Sequence, residues 1–595
     1  MSKKYFLNII NSILPLVILA IFGVFLGIQL QSSQEYMFFY RESQQLLLLD
    51  WNYVTGLFLQ FGGVGKFVSQ FLVQFFIHPY IGAIVTTLLA IGSAWMFWLT
   101  IRKVFNKIFL LPITLLPALV QITYLTASYH HYDGLVALFF MAMTLWSYSL
   151  LGNFDYRVRT ALGAVMTLML YLLFGSVGML FAVCALLFDV ALKQDKWYLS
   201  ALYVAIVGIA GSYMVSRGLI IEPEFAYTPR FYYEFYVELT SFLVLSWGMV
   251  VMLIAAALVM RYIPSFNRVV EGILLAVLCL AVVGWYLPQH EKNVNAGVYT
   301  YMKLHNNMIH EDWDAILNTP TLNFQSPLNA NIVNFALSKK GELLDKLFLY
   351  PQVDMSSLLN ENFGTFVEEH SVYSEIYYHL GIVSQTLELS LAAMAGTYPG
   401  TPLLLQQFIR SRIVMGDYDL AEKFIYRLEN TYSYDDWAKQ QREFLHDDAA
   451  VDADEDYGLK RRTLPEPSSE FASMQGLLYD LMKVLTANQE NNVAREYVIA
   501  CILVHKDFNV IRSFVEEYYG TPILPTLPVR LQEAVVAYAE RDIDYCRRYG
   551  VSEQTISRFA SFRQKILTLR HRQPNANPKS QLSEFRETFW FYVLG

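Results

Sequence analysis

The sequence predicts an all-α protein: a polytopic membrane helix bundle followed by a soluble α-helical repeat domain of tetratricopeptide-like type. Three observations predict it. Of 595 residues, 55% are hydrophobic and only 16% charged, where an average soluble chain carries about 25% charged residues. The excess is uneven: as far as Pro288 the chain is a series of long apolar runs, and beyond it apolar residues recur at helical spacing. Small, aromatic and alanine residues then recur in the second half as they do in paired helices. The division expected is a transmembrane domain over 1–290 and an extracytoplasmic helical-repeat domain over 291–595.

In chain order, Lys3 and Lys4 precede an apolar run from Ile13 to Leu30. No small-x-small cleavage site follows it and further spans do, so it reads as an uncleaved first helix. Residues 31–79 read as an outer loop holding interfacial helices. Within it Val64, Phe67, Val68, Phe71, Leu72, Phe75 and Phe76 make a helical stripe, with Lys66, Ser69, Gln70 and Gln74 on the other side. Residues 64–77 are therefore expected to lie in the membrane interface, and Gly62-Gly63 breaks them from a shorter helix before. Further spans are expected at 80–101, 109–127, 135–152, 161–174, 178–192, 198–215, 241–260 and 269–288. That makes about nine, two of them short for a crossing of about 20 residues.

Basic residues set the orientation. Lys3 and Lys4, then Arg102, Lys103 and Lys107, Arg157 and Arg159, Lys193 and Lys196, Arg261 and Arg268 fall in alternate gaps. Those gaps are cytoplasmic by the positive-inside rule. The others hold Glu35, Asp50, His130, His131, Asp133, Glu222, Glu224 and Glu234. An odd number of crossings from a cytoplasmic start then puts everything after Pro288 outside the cytoplasm.

The net charge of -8 and the absence of a long basic tract argue against nucleic acid as a partner. Four cysteines are too few for a disulfide scaffold. Cys184 and Cys279 read as buried hydrophobes, Cys501 and Cys546 as free thiols. There is no phosphate-binding glycine loop, HExxH, paired CxxC or nucleophile elbow. No cofactor or metal site is assigned, and a need for a divalent metal is left open.

What remains is a set of polar groups in the outer gaps. Asp50, after four leucines and before Trp51, is a carboxylate at the water–lipid boundary: either a catalytic base or the N-cap of the short helix that follows. In Tyr129-His130-His131-Tyr132-Asp133-Gly134 the bland reading is an aromatic interface belt. The functional reading has Asp133 share acid–base work or hold a metal or sugar hydroxyl, with His131 beside it contacting substrate. In SRGLIIEPEFAYTPRFYYEFYVELT, Arg217 and Arg230 suit a phosphate or diphosphate. Glu222 and Glu224 line a substrate site or merely neutralise those arginines, and the rings suit the apolar faces of sugars.

The second half contains helix–turn–helix units, from Tyr373 (YSEIYYHLGIVSQTLELSLAAMAGTYPG) and from Thr401 (TPLLLQQFIRSRIVMGDYDLAEKFIYRLENTY). In the latter Gly416, Tyr418, Ala421 and Phe424 resemble the tetratricopeptide pattern. NNMIHEDWDAILNTP, NIVNFALSKKGELLDKLF and EYVIACILVHKDFNVIRSFVEEYYG look like degenerate copies. Residues 446–470, acidic, then basic, then Pro-rich, read as a flexible loop.

The run DWNYVTGLFLQFGGVGKFVSQFLVQFFIHPYIGAIVTTLLA is similar to the first outer loop and second helix of serotype-converting bacterial glucosyltransferases. The membrane half as a whole resembles the C-type glycosyltransferases, although Asp50-Trp51 stands where those enzymes often carry paired acids. A membrane half followed by non-cytoplasmic repeats also resembles the transmembrane O-mannosyltransferases. The full chain looks like an uncharacterised family of bacterial multi-span proteins with helical-repeat tails. The enzyme resemblance implies a polyprenyl-phosphate-linked sugar donor and an extracytoplasmic acceptor, at a bacterial inner membrane. Asp50 would then act as base, Asp133 would assist, and Arg217 and Arg230 would hold the leaving phosphate. The alternative is a non-catalytic scaffold on which the repeats gather protein partners for envelope assembly. With a cytoplasmic start and an odd number of crossings, a reporter active only outside the cytoplasm is active when fused after Gly595 and silent when fused after Lys107; the reverse pattern overturns the orientation.

Overall fold

The computed structural model describes residues 3–594 apart from 128–130, 234–240, 263–266, 320–325, 361–366, 397–398, 465–475, 540–541 and 573–577. All regular elements among the described residues are helical; two isolated bridges meet at Leu524. Two compact units result. The first comprises Met1–Tyr299 with Asn430–Ser433, the second Thr300–Glu429 with Tyr434–Gly595.

The first unit contains α1 (Lys3–Gln44), α2 (Trp51–Phe58), α3 (Gly63–Val73), α4 (Ile81–Val104), α5 (Leu116–Thr123) and α6 (Asp133–Leu150). It continues with α7 (Tyr156–Phe174), α8 (Val177–Leu192), α9 (Ala201–Ser216), α10 (Pro223–Tyr227), α11 (Ser241–Met260) and α12 (Arg268–Asn293). Among the described residues seven helical segments are long and apolar enough to cross a membrane. Two of the expected spans are shorter apolar helices, Ile108–Thr123 and Val177–Leu192. The segment expected at 161–174 begins earlier, at Tyr156, because Asp155 accepts the Arg157 N–H and caps the helix there.

The start of the expected outer loop is helix instead. α1 runs on to Gln44 with one kink, at Gln34 (φ −137°, ψ 15°). The polar residues expected to end it find partners on α12. Tyr286 Oη donates to Gln29 Oε1 (2.8 Å), and His290 lies 3.0 Å from Ser33 Oγ and 3.3 Å from Gln34 Nε2.

Residues 63–77 are helical, with a 3-10 turn from Gln74 to Ile77. Small residues make up much of their buried face, and Phe67, Phe71 and Phe75, expected towards lipid or protein, point away from it. Gly65, Ser69, Val73 and Phe76 are buried, whereas Phe71 is 41% exposed. The small side chains allow close docking: a Cβ on Gly65 would meet the Phe174 ring at 3.2 Å. The phenylalanines form an outward ladder, Phe67 to Phe71 to Phe75, with ring centroids 6.2 and 5.3 Å apart.

At the opposite ends of the spans, basic side chains close helix C-termini. Lys103 Nζ donates to Ser149 O (2.7 Å), Arg159 Nη2 to Asp195 O (2.7 Å) and Arg261 Nη1 to Ala191 O (2.5 Å). Ser149 O and Ala191 O are carbonyls that a helix end leaves unsatisfied, and Asp195 O lies in the turn just after α8. Arg159 also faces Asp189 (3.5 Å), whose Oδ2 accepts from Tyr148 Oη (2.8 Å) and Ser200 Oγ. Gly163 makes room for this cluster, since a Cβ there would overlap the Tyr203 hydroxyl.

α13 (Ala296–Ile309) leads into the second unit. There follow α14 (Trp313–Leu317), α15 (Pro327–Lys339), α16 (Leu343–Lys346), α17 (Val367–Leu380), α18 (Val383–Gly396), α19 (Pro402–Met415), α20 (Tyr418–Glu429) and α21 (Asp435–Arg442). Then come α22 (Asp448–Ala453), α23 (Glu455–Arg462), α24 (Leu477–Ala487), α25 (Asn492–His505) and α26 (Phe508–Tyr518). α27 (Val529–Ala539), α28 (Ile543–Arg548), α29 (Glu553–Arg572) and α30 (Phe589–Val593) complete it. The sequence units from Tyr373 and Thr401 are helix pairs, α17/α18 and α19/α20. The second pair turns at Gly416, whose left-handed φ of 75° ends α19.

Within the stretch expected as a loop, the described residues 446–464 are largely helical. Asp447 and Asp454 cap α22 and α23. In α23 the acids fill the first turn and Lys460, Arg461 and Arg462 the last, the order that the helix dipole favours. Residues 465–470 lie outside the described residues.

A charged cluster ties α15, α17, α19 and α23 together. Arg410 bonds Asp456 (3.0 Å), approaches Glu375 (3.7 Å) and stacks 4.2 Å from the centre of the Tyr378 ring. His379 Nε2 lies 2.9 Å from Glu375 Oε1, its Nδ1 lies 3.3 Å from Lys339 Nζ, and Lys460 Nζ donates to His379 O (3.1 Å). Because a lysine can only donate, Nδ1 accepts and the Nε2 proton faces Glu375. Burial opposes the charge on His379, lowering its pKa from 6.5, and lowers Lys460 to about 8. Burial also opposes ionisation of Glu375, yet His379 and Arg410 outweigh it and pull the carboxyl from 4.5 to about 2. A depressed carboxyl stabilises the fold above its ordinary range, and that contribution is lost as pH falls from 4.5 towards 2. Wild type is therefore expected to lose unfolding free energy across that window, and Glu375→Gln to show a flatter profile from a lower starting stability. Denaturant melts of the full chain at stepped pH check this.

Candidate functional site

One aromatic knot in the first unit gathers part of the outer-gap sequence. Phe231 and Tyr232, in a 3-10 turn from Pro229 to Tyr232, form its centre. The Phe231 ring fills the space between Gly62 and Gly175, where a Cβ would come within 2.7 and 2.6 Å of it. Both glycines have positive φ, 70° and 88°, so they also supply the chain reversals before α3 and before α8. Phe61 packs edge-on against Phe231 (4.9 Å) and tilted against Tyr171 (4.9 Å). Tyr232 is buried; its hydroxyl donates to Phe174 O (2.6 Å) and accepts from the Val177 N–H (3.1 Å), and its ring stacks on Trp247 (5.3 Å). The start of α6 meets the same knot, since Gly134 lies against Tyr232.

Asp50 caps α2. Its carboxylate Oδ2 accepts the Tyr53 N–H at 3.1 Å, with Asp50 itself in extended conformation. Of the two roles open from sequence, the observed geometry is that of the N-cap. Arg217 closes α9, exposed, with its guanidinium 5.4 Å from the centre of the Tyr213 ring. Arg230 faces Glu224 at 3.8 Å, on the bland reading in which these acids neutralise the arginines. Glu222 is exposed at the start of α10. His131 is half-buried just before Tyr132, whose hydroxyl pairs with Thr86 Oγ1 (2.8 Å). His130 and Glu234 lie outside the described residues.

Asp133 belongs to a different helix from the one that Asp50 caps. It is half-buried in the first turn of α6, without a side-chain hydrogen bond among the described residues. Its charge acts on Tyr232 and on Arg41. Arg41, buried near the end of α1, carries no signal in the sequence, because it falls among aromatic residues in a stretch that reads as loop. Its Nη2 donates to Leu125 O and to Ala127 O (3.2 Å), which closes the chain after α5. Among the described residues no hydrogen bond or ion pair joins Asp50 or Arg217 to Asp133 or Arg230. Among the same residues no group of three His, Cys, Asp or Glu side chains is placed to hold a metal ion.

Fold and site thus define an all-helical protein whose first unit carries helices long and apolar enough to cross a membrane and whose second unit is helical among the described residues. The chain belongs to a family of unknown function, DUF6057, whose model matches residues 9–595. No curated protein and no solved structure matches it.

The capping geometry sets an expectation for Asp50. Asp50→Asn, also a good cap, should leave the melting midpoint of the solubilised protein nearly unchanged, whereas Asp50→Ala should cost about 0.5–2 kcal/mol. Equal losses in both variants would show that the charge, not the cap, matters.

Proposed function

We propose that this protein is a membrane-anchored helical platform. The first unit fixes it in a bacterial inner membrane, and the second, outside the cytoplasm, gathers protein partners on tetratricopeptide-like helix pairs. The observation that carries this reading is the engagement of Asp50: the carboxylate best placed by sequence for catalysis is taken up by the α2 backbone. Arg230 and Glu224 face each other, and Arg217 packs on Tyr213. These are roles that hold a fold together. The orientation rests on the basic residues, which gather at one end of the spans and close helix termini there.

A second reading has one observation in its favour. Asp133 keeps a carboxylate without a hydrogen bond among the described residues, beside the aromatic knot. Transfer of a sugar from a polyprenyl-phosphate donor to an extracytoplasmic acceptor would then use Asp133 as base, with Arg230 and Arg217 on the phosphate. A positioned base contributes about 10²–10⁴ in rate.

Photo-crosslinking in cells separates the two. A crosslinker at Tyr426 or Leu459, both exposed on the second unit, is expected to give a discrete protein adduct. Vesicles holding the purified chain and a labelled polyprenyl-phosphate sugar are expected to show no transfer above empty vesicles. Transfer that Asp133→Asn abolishes, with no adduct at either position, would replace the platform by the transferase.

A further inference from the structure

The second unit carries an open cavity of about 450 Å3, within the roughly 300–1,000 Å3 usual for small-ligand sites. Val353, Leu359, Leu477 and Val504 give it apolar walls, and Asp354 and Lys506 place opposite charges on it. Those charges do not pair with each other: neither forms an ion pair among the described residues. Each is held in place by its own surroundings. Asp354 Oδ1 accepts the N–H (2.8 Å) and the hydroxyl of Ser356, which leaves Oδ2 open. Lys506 follows α25 in left-handed conformation (φ 61°), with its ammonium 4.0 Å from the centre of the Tyr592 ring. Tyr592 is itself anchored, its hydroxyl donating to Val504 O (3.1 Å), and it feels the charge of Asp354 as well. One ring thus stands beside both charges.

We infer that this cavity binds a zwitterion with an apolar side chain, a free amino acid or dipeptide, its ammonium on Asp354 and its carboxylate on Lys506. The reason is electrostatic. An anion alone would meet Asp354 and a cation alone would meet Lys506. A neutral ligand would desolvate both charges without compensation, which is costly. A ligand with both charges satisfies each, and its side chain covers Val353, the exposed one of the four apolar residues. The inference does not depend on the platform reading, since it concerns a different surface and a different chemistry.

Calorimetric titration of the full chain in detergent tests it, with L-leucyl-L-leucine as probe beside its N-acetylated and C-amidated forms. Saturable binding of the free dipeptide is expected, weakened about tenfold or more by either cap, because each cap leaves one protein charge unpaired. Asp354→Asn should remove the discrimination against the acetylated form alone, and Lys506→Met that against the amide alone. The capped ligands test wild type directly, so the answer does not hang on either variant folding. No saturable heat up to about 10 mM dipeptide, a range that still detects millimolar affinity, overturns the inference. So does binding that neither cap weakens.

Discussion

The first unit depends on a single steric constraint, the insertion of Phe231 between two glycines. Gly62 and Gly175 each approach the ring so closely that a Cβ would overlap it, and overpacking of this kind costs about 1–3 kcal/mol per site. The constraint reaches further than its area. Gly62 N–H donates to Leu172 O (3.0 Å), so the corner before α3 is pinned to the end of α7. Tyr232 then bridges the end of α7 to the start of α8 through one hydroxyl that both donates and accepts. Segments distant in sequence are thereby held by two adjacent side chains. Buried backbone groups at these turns would otherwise go unpaired, which is costly in an apolar surrounding. A local aromatic wedge is thus what allows three sharp turns to meet at one end of the bundle.

The second unit solves a different problem by different means. Helix pairs stacked in series bury apolar faces but leave their polar edges to be matched. Here the matching is done by charges. Arg410 lies against acids from α17 and α23 and a ring from α17. At the far end Glu533 accepts from Arg530 (2.7 Å) and from the Phe589 N–H (2.8 Å), while its carbonyl takes the Trp590 indole N–H (2.7 Å). That carboxylate binds α30 to α27. Removing one partner from such a group leaves a buried charge uncompensated, which is more costly than the pair is stabilising.

Much of this is legible in the residues. Long apolar runs with basic residues between them locate the crossing helices, because length and hydropathy largely decide whether a segment spans. Where sequence and structure part, the reason is each time a partner outside the local stretch or a property that hydropathy does not rank. Residues 31–35 are polar, and polarity suggests a loop; side chains of α12, more than two hundred positions away, give Ser33 and Gln34 partners within a continuing helix. In residues 446–470 the charges look like a solvated run, although their order, acids first and bases last, is that of a helix. The protein-facing side of α3 is chosen by a property that hydropathy does not rank. Periodicity ranks residues by hydrophobicity, whereas docking against Phe174 selects for small size, and Gly65 and Ser69 meet that demand. Arg41 is invisible to such reasoning, since its value lies in carbonyls on a distant segment.

The two interfacial carboxylates show why residue type does not reveal role. Asp50 and Asp133 both stand at the first turn of a helix and both follow an aromatic or apolar stretch. Asp50 adopts extended backbone, so its side chain folds over the first amides of α2 and is engaged by them. Asp133 already lies inside α6, with Tyr132 before it at helical angles, so its carboxylate does not cap those amides. One residue of register separates a cap from a group left to interact with Arg41 and the aromatic knot. That register is set by Tyr132, buried between Thr86 and the Phe76 ring (5.3 Å). The disposition of the carboxylate at the head of α6 is therefore decided by the packing of its neighbour.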